Sequence, residues 1–265
     1  MGGMPMPSSI LGSNDVSSLS LNPNSQSSFL ASKPVSTKEK MKTVTPVKVQ
    51  GDSLRTCSFN DSVQRVDIMM NTEGRPLNAD VELWQGPDNA PQKMTVYLED
   101  GSARPFCATI ECPGSSNSIS IRNTGHMEFP LTAGVSVDMI QSSRSPASIL
   151  DETSSSRIVQ GGAVYTSPFA PAVQSVQIML KTDGRPMNVR VELLQGPNNV
   201  KQVMEIYSED GKTRPFYGII ETQGSGNVVR IVNTSTVEFP LNAALEPYVV
   251  DESMTEGMSG DMNWS

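Results

Sequence analysis

This 265-residue chain has little of the residue chemistry on which most enzymes depend. It holds one histidine, His126, so a nucleophile activated by an imidazole could stand in one place only. No G-x-S-x-G elbow, Walker loop, dinucleotide-binding glycine motif or EF-hand loop occurs. Aromatic residues make up 5%, too few for a broad stacking platform. No run of eighteen apolar residues occurs, which excludes a membrane-spanning helix. The net charge of −8 argues against nucleic acid as a partner, because binding it requires a basic surface that displaces counterions. The three cysteines, Cys57, Cys107 and Cys112, all lie in the first half, and Cys107 and Cys112 fit no zinc-ligand spacing.

Turn formers are plentiful, with 20 glycines and 19 prolines. They punctuate a duplication. Shifted by 110 residues, the chain matches itself without a gap: 49–135 aligns with 159–245, with 44 identities in 87 positions. The block from Gly74 to Asn89, GRPLNADVELWQGPDN, answers GRPMNVRVELLQGPNN from Gly184. EDGSARPF answers EDGKTRPF, and NTGHMEFPL answers NTSTVEFPL. The second copy has Ser167, Tyr217 and Thr222 in place of the cysteines, so the module does not depend on a disulfide. His126 becomes Thr236 and reads as a surface residue of a polar turn.

Each copy reads as β. Apolar and polar residues alternate from Ala79 to Trp84, from Lys93 to Leu98 and from Ser118 to Arg122, which is the period of a half-buried strand. Gly-Arg-Pro, Gln-Gly-Pro, Asp-Gly and Pro-Gly turns separate these runs. Neither copy contains an amphipathic helical pattern of three turns. The expected fold is all-β: two tandem, homologous, antiparallel sandwich-like domains related by pseudo-symmetry. The expected boundaries are a disordered Ser/Pro/Met-rich arm (1–48), repeat 1 (49–135), a Ser-rich spacer (136–158), repeat 2 (159–245) and an acidic tail (246–265). An 87-residue module buries only about 60–65% of its unfolded surface, so packing against a twin or another chain would add stability.

Differences between the copies point to surfaces. Ser118 and Arg122 become Val228 and Val232, which makes that strand largely apolar on both faces, Arg230 being the exception, and in need of cover, either from the other copy or from a neighbouring molecule. Trp84 becomes Leu194. Charge is uneven too: residues 1–48 carry net +3, repeat 1 −5, repeat 2 zero and the tail −5. In the tail, the β-prone run Tyr248, Val249 and Val250 precedes Met254, Met258, Met262 and Trp264, spaced among acids as anchors that could dock by strand addition. Trp84, Val228, Val232, Tyr248, Val249, Val250 and Trp264 are therefore the candidate assembly contacts. The recurring carboxylates Glu82/Glu192, Glu111/Glu221 and Glu128/Glu238 could serve glycoside hydrolysis. The recurring arginines Arg75/Arg185 and Arg104/Arg214 explain them more simply as ion pairs. No catalytic, cofactor or metal site is expected.

The three duplicated blocks, together with the Ser-rich leader and the acidic tail, resemble the pyrenoid shell proteins of diatoms and related algae across about 49–245. That resemblance implies a non-enzymatic lattice subunit in the chloroplast, at the pyrenoid periphery. Such subunits form a protein layer around the Rubisco matrix and support CO2 concentration. Homo-oligomers in a sheet or tube, with Rubisco or pyrenoid matrix proteins as further partners, would follow. The competing reading is a tandem β-module that binds a carbohydrate or another ligand.

Overall fold

The alternation seen in the sequence sets the strands. In a computed structural model, residues 36–137, 144–197 and 199–255 are described. The short helix α1 (Thr37–Met41) precedes β1 (Val47–Val49), β2 (Leu54–Ser58), β3 (Arg65–Asn71) and β4 (Leu77–Gln85). These are followed by β5 (Asn89–Leu98), β6 (Phe106–Glu111), β7 (Asn117–Asn123) and β8 (Leu131–Val137). Helix α2 (Pro146–Thr153) lies between the copies. The second copy supplies β9 (Arg157–Val159), β10 (Val164–Pro168), β11 (Val173–Lys181) and β12 (Met187–Gln195). It continues with β13 (Val200–Ser208), β14 (Phe216–Glu221), β15 (Asn227–Asn233) and β16 (Leu241–Val250), and α3 (Glu252–Thr255) follows.

The strands form two antiparallel eight-stranded sheets facing one another. Sheet A runs β1-β8-β3-β6-β14-β11-β16-β9, and sheet B runs β10-β15-β12-β13-β5-β4-β7-β2. Each sheet therefore passes without interruption from one copy into the other, at β6–β14 in sheet A and at β5–β13 in sheet B. Both copies fall within one compact unit, Pro34–Ser265. The register at the seams is reciprocal. Ala108 faces Gly218, its own counterpart, and Thr95 faces its counterpart Glu205. The seam is flanked by Glu99 N donating to Lys201 O and by Glu209 N donating to Pro91 O, the same bond read from the other copy.

One core fills the space between the sheets. Val66, Ile68 and Met70 of β3 and Phe106 and Ile110 of β6 point into it, as do Leu77, Val81 and Leu83 of β4 and their counterparts in the second copy. Burying such side chains stabilises the fold by roughly 1.5–3 kcal/mol each. A second, smaller core lies on the outer face of sheet A. There Met69, Cys107, Met179, Tyr217, Ile219 and Ala244 are covered by Ala147 and Leu150 of α2, by Met41 at the end of α1 and by Val44 just after it. The middle of the segment read as a spacer is thus a helix docked on the sheet. With eight residues it is too short to announce itself by periodicity, and tertiary packing stabilises it. Ser154, which caps that helix, donates its Oγ hydrogen to Leu150 O in its last turn.

The duplicated blocks are joints. Asn123 donates from Nδ2 to Val49 O (3.1 Å) and Phe129 O (2.8 Å), and its Oδ1 accepts from Gly125 N; Asn233 repeats the pattern with Val159, Phe239 and Ser235. Gly51 and Gly161 let two loops touch. A Cβ on Gly161 would lie 1.8 Å from Thr236 O, and one on Gly51 would lie 2.0 Å from His126 O. In the E-D-G turn, the Asp210 carboxylate accepts from the Thr213 hydroxyl and from the Thr213 and Lys212 amides, which holds its pKa below the usual range.

The recurring arginines do not pair with the recurring glutamates. Arg75 and Arg185 donate to the backbone carbonyls of Glu128 and Glu238 and lie over the rings of Phe129 and Phe239. Arg104 donates to Gln195 Oε1 (3.2 Å), and Arg214 donates to Gln85 Oε1 (2.9 Å). These two bonds cross between the copies reciprocally, so the Q-G-P and R-P-F blocks recur because each grips the other's twin.

Candidate assembly surfaces

The two outer faces of the sandwich are furnished differently. Sheet A carries its helices and a second core, and the outward side chains of sheet B form an open pleated surface. On that surface, directly opposed residues of neighbouring strands lie side by side. In the second copy one row is Val164, Val232 and Arg190, and another is Pro168, Val228 and Leu194. Between them lie Arg230 and Glu192. Glu192 is buried, accepting from Arg190 Nε at 2.6 Å and paired on its other oxygen with Arg230. Glu205 accepts from Arg190 Nη1 at 3.3 Å, so two arginines balance two glutamates, which leaves the flanking valine, proline and leucine side chains as the apolar chemistry offered outward. Val164 is 56% exposed, and Val228 and Val232 are half-buried.

The first copy presents the same positions with polar groups. Its rows are Leu54, Arg122 and Asp80, then Thr56, Ser120 and Glu82, then Ser58, Ser118 and Trp84. Trp84 Nε1 donates to Glu82 Oε2 at 3.0 Å and lies 3.2 Å from Ser120 Oγ, so the indole is held flat on the surface rather than free to insert elsewhere. Lys93 completes the group, 3.5 Å from Glu82.

The structure thus brings Trp84, Val228 and Val232 onto one face, although on different copies. Tyr248, Val249 and Val250 lie on sheet A. They form the end of β16, where Val249 lies opposite Ser175 and Val250 opposite Val173 of β11. Tyr248 packs against the smaller core with Lys40 Nζ 5.5 Å over its ring. Burial alone would lower the Lys40 pKa, but nearby Cys107, Tyr248 and Asp67 outweigh it and the value is raised. Trp264 lies outside the described residues.

Among the described residues, no group of three or more His, Cys, Asp or Glu side chains is gathered so as to hold a metal ion. No described helix is long and apolar enough to cross a membrane. His126 stands edge-on to Phe129 in its turn, ring centroids 6.1 Å apart. A shallow depression of about 450 Å³ crosses the sheet B seam, lined by Lys93, Thr95, Arg190, Glu205, Tyr207 and Thr234. It offers mixed charge, with the Thr95 hydroxyl donating to Asp80 Oδ1 at 2.8 Å.

The three thiols differ sharply. Cys57 is exposed on β2, whereas burial pushes Cys107 and Cys112 up to about 12. Titration of the native protein with a maleimide at neutral pH is expected to modify one thiol, and titration in denaturant three. Modification of all three under native conditions would show that the cores are not closed.

A family model for diatom pyrenoid shell proteins matches residues 38–247, well over half of the chain. The chain belongs to the diatom pyrenoid shell protein family. The match covers both copies, both sheets and most of the covering helices, and it bears out the resemblance carried by the duplicated blocks. The family is one of structural shell proteins rather than enzymes, and with it this shell protein is associated with the pyrenoid of the chloroplast. No curated protein matches the sequence.

What sequence reading missed on this surface is the internal neutralisation of Glu192. The signal was present. Asp80 and Ser120 of the first copy become Arg190 and Arg230, two cations on either side of a retained glutamate. Finding it required knowing that β12 and β15 are neighbours.

Proposed function

We propose that this shell protein tiles with copies of itself into a continuous layer around the Rubisco-containing pyrenoid matrix, at its periphery, and that the layer supports CO2 concentration and fixation by limiting leakage. Contacts with Rubisco or other matrix proteins belong to the same reading. The observation that carries it is the contrast between the faces. Sheet A is dressed with helices over a second core, while the second copy's part of sheet B offers rows of valine, proline and leucine outward. An apolar face flanking a neutralised charge cluster suits contact with protein. The reciprocal seam supports two copies related by a pseudo-twofold axis. Their surfaces have diverged, so one molecule presents unlike faces, and unlike faces propagate into open arrays rather than closed dimers.

Electron microscopy of the purified chain at rising concentration tests this. Sheets or tubes are expected above a threshold. The double variant Val228→Asp/Val232→Asp places two charges in the apolar rows and is expected to raise that threshold by about tenfold or more. Its melting temperature should change little, because both side chains lie on the outer face. A monodisperse monomer at every concentration, with a thermal shift on adding glycans, would replace this reading with the ligand-binding module.

A further inference from the structure

The two ends of the sandwich differ in what their hollows are made of. At the first-copy end, between β1 and β8 of sheet A and β2 and β7 of sheet B, lies an apolar cleft of about 280 Å³. Val47, Val49, Ile121 and Val135 line it, with Cys57 and Arg55 at its lip. The second copy has the same strands, but the depression of about 370 Å³ at its end is lined by Arg157, Gln160 and Tyr165 as well as by aliphatic side chains. Tyr165 replaces Arg55 and packs on the core, Leu245 replaces Val135, and Arg157, which replaces Val47, lies 5.4 Å over the Tyr165 ring. The scaffold therefore does not require an apolar cleft; the first copy keeps one. An apolar hollow open to water is a standing cost that an apolar occupant removes.

We propose that this cleft receives the C-terminal tail, residues 251–265, of a second molecule. The assignment rests on the reading that copies of the chain associate, and it names one of the contacts. Three observations select the occupant. The first is charge: Arg55 is the one charged residue lining the cleft, the tail carries acids and no base, and the N-terminal segment 1–48 has the same sign as Arg55. The second is composition: the tail sets Met254, Met258, Met262 and Trp264 among its acids, apolar anchors of a size to enter such a hollow. The third is reach. The tail leaves from β16, and β8 lies five strands away across sheet A, β1 six. At roughly 4.8 Å per strand, the molecule's own cleft is about 24–29 Å from the end of β16. The ten residues after Thr255 span at most about 33–36 Å, so entering that cleft in the same molecule uses up most of their length. In an end-to-end pair, the tail's root adjoins the neighbour's first-copy end. Ile158, Val164 and Val250 are exposed at the departing end, and Val47 and Leu54 at the receiving end, so both abutting surfaces are apolar. The contact joins unlike surfaces, closes on nothing and repeats.

The test uses a fluorescein-labelled peptide of residues 251–265, titrated into the full-length protein below its assembly threshold and followed by anisotropy. Saturable binding is expected, and the bound peptide should slow maleimide labelling of Cys57. The double variant Val47→Arg/Arg55→Tyr transplants the second copy's arginine and tyrosine and is expected to weaken binding about tenfold or more. Trp264→Ala in the peptide, which cannot disturb the protein's folding, should do the same. Absence of binding, or binding indifferent to both changes, overturns the assignment. Binding to a chain ending at Thr255 but not to the full-length protein would mean that the tail fills its own cleft, and would also overturn it. If the chain ending at Thr255 tiles as well as the whole, the tail contact falls and self-assembly stands. If the peptide binds as described but the full chain never assembles, self-assembly falls and the pairing of tail and cleft stands.

Discussion

Replacing Phe216 by alanine is expected to lower stability by about 3–5 kcal/mol, a third or more of what a domain of this size has in hand. The phenyl ring is fully buried between the sheets, on β14 beside the seam, and rests against backbone. A Cβ on Gly218 would come within 2.9 Å of Phe216 Cζ, so the ring occupies the space that a side chain at 218 would need. The cavity left by truncation is walled by two paired sheets that cannot close in independently, which places the loss at the upper end for such changes. At roughly 2–4 °C per kcal/mol for a chain this long, the melting temperature should fall by about 10 °C. Phe106→Ala, its counterpart in the first copy, should cost a similar amount, because both rings belong to one core. Val237→Ala, at a position 74% exposed, should change stability by no more than about 0.5 kcal/mol. Gly218→Ala alone should destabilise through its clash. Combined with Phe216→Ala it should cost less than the sum, because the added methyl enters the vacated space. Chemical denaturation of the five variants measures all of this. A loss below about 1 kcal/mol for Phe216→Ala would mean that the sheets repack freely and the shared core is not the source of stability.

Much of this fold was legible in the sequence, for a definite reason. Alternation reports which face of a strand is wet, and Ala79–Trp84, Lys93–Leu98 and Ser118–Arg122 each proved to lie within a longer strand of sheet B. What alternation does not report is which strand lies alongside. β5 reads as a half-buried strand whether its far edge meets water or β13, because its outward residues Lys93, Thr95 and Tyr97 face solvent either way. The seam was therefore invisible, and with it the roles of Arg104 and Arg214, whose glutamine partners lie 91 and 129 residues away. Ionic pairing was the simpler reading of recurring arginines and glutamates, and it holds for Glu82, Glu111 and Glu192 with other cations, Lys93, Arg65 and the Arg190–Arg230 pair. The recurring arginines instead bind backbone carbonyls, aromatic rings and neutral amides in the other copy. The candidate surface was legible in part. The change of Ser118 and Arg122 to valine marked an outward face in need of cover, and the structure places both valines there in apolar rows. The cleft at the first-copy end was not legible. It is created by three substitutions on three different strands, β1, β2 and β8, which no local pattern connects.

Dividing the chain between its copies gives the sharpest expected result: neither half should persist as a folded monomer, and the two halves expressed together should reassemble. A cut within residues 138–143 leaves every described strand of both sheets intact. It does not cut the seams, where seven residue pairs join β5 to β13 and three join β6 to β14. Cross-copy ties reinforce them: Arg104 to Gln195, Arg214 to Gln85 and the Lys201–Glu99 ion pair. Separated, each half exposes two unpaired inner strands and one side of a core that includes a fully buried phenylalanine. A half of this size already buries too little surface for a comfortable margin, and losing its share of the common core removes what margin it has. The unpaired strands β5 and β6 would also be templates for association. The reciprocal register makes one outcome specific. Thr95 faces its counterpart Glu205 and Ala108 faces its counterpart Gly218, so a copy can meet a second molecule of itself in the same alignment. Isolated halves should therefore run as homodimers or aggregate in size-exclusion chromatography with light scattering. The mixed halves should elute as one heterodimer with the melting behaviour of the uncut chain. A stable monomeric half would show that each copy completes its own core, and that the continuous sheets are a consequence of proximity rather than the basis of the fold.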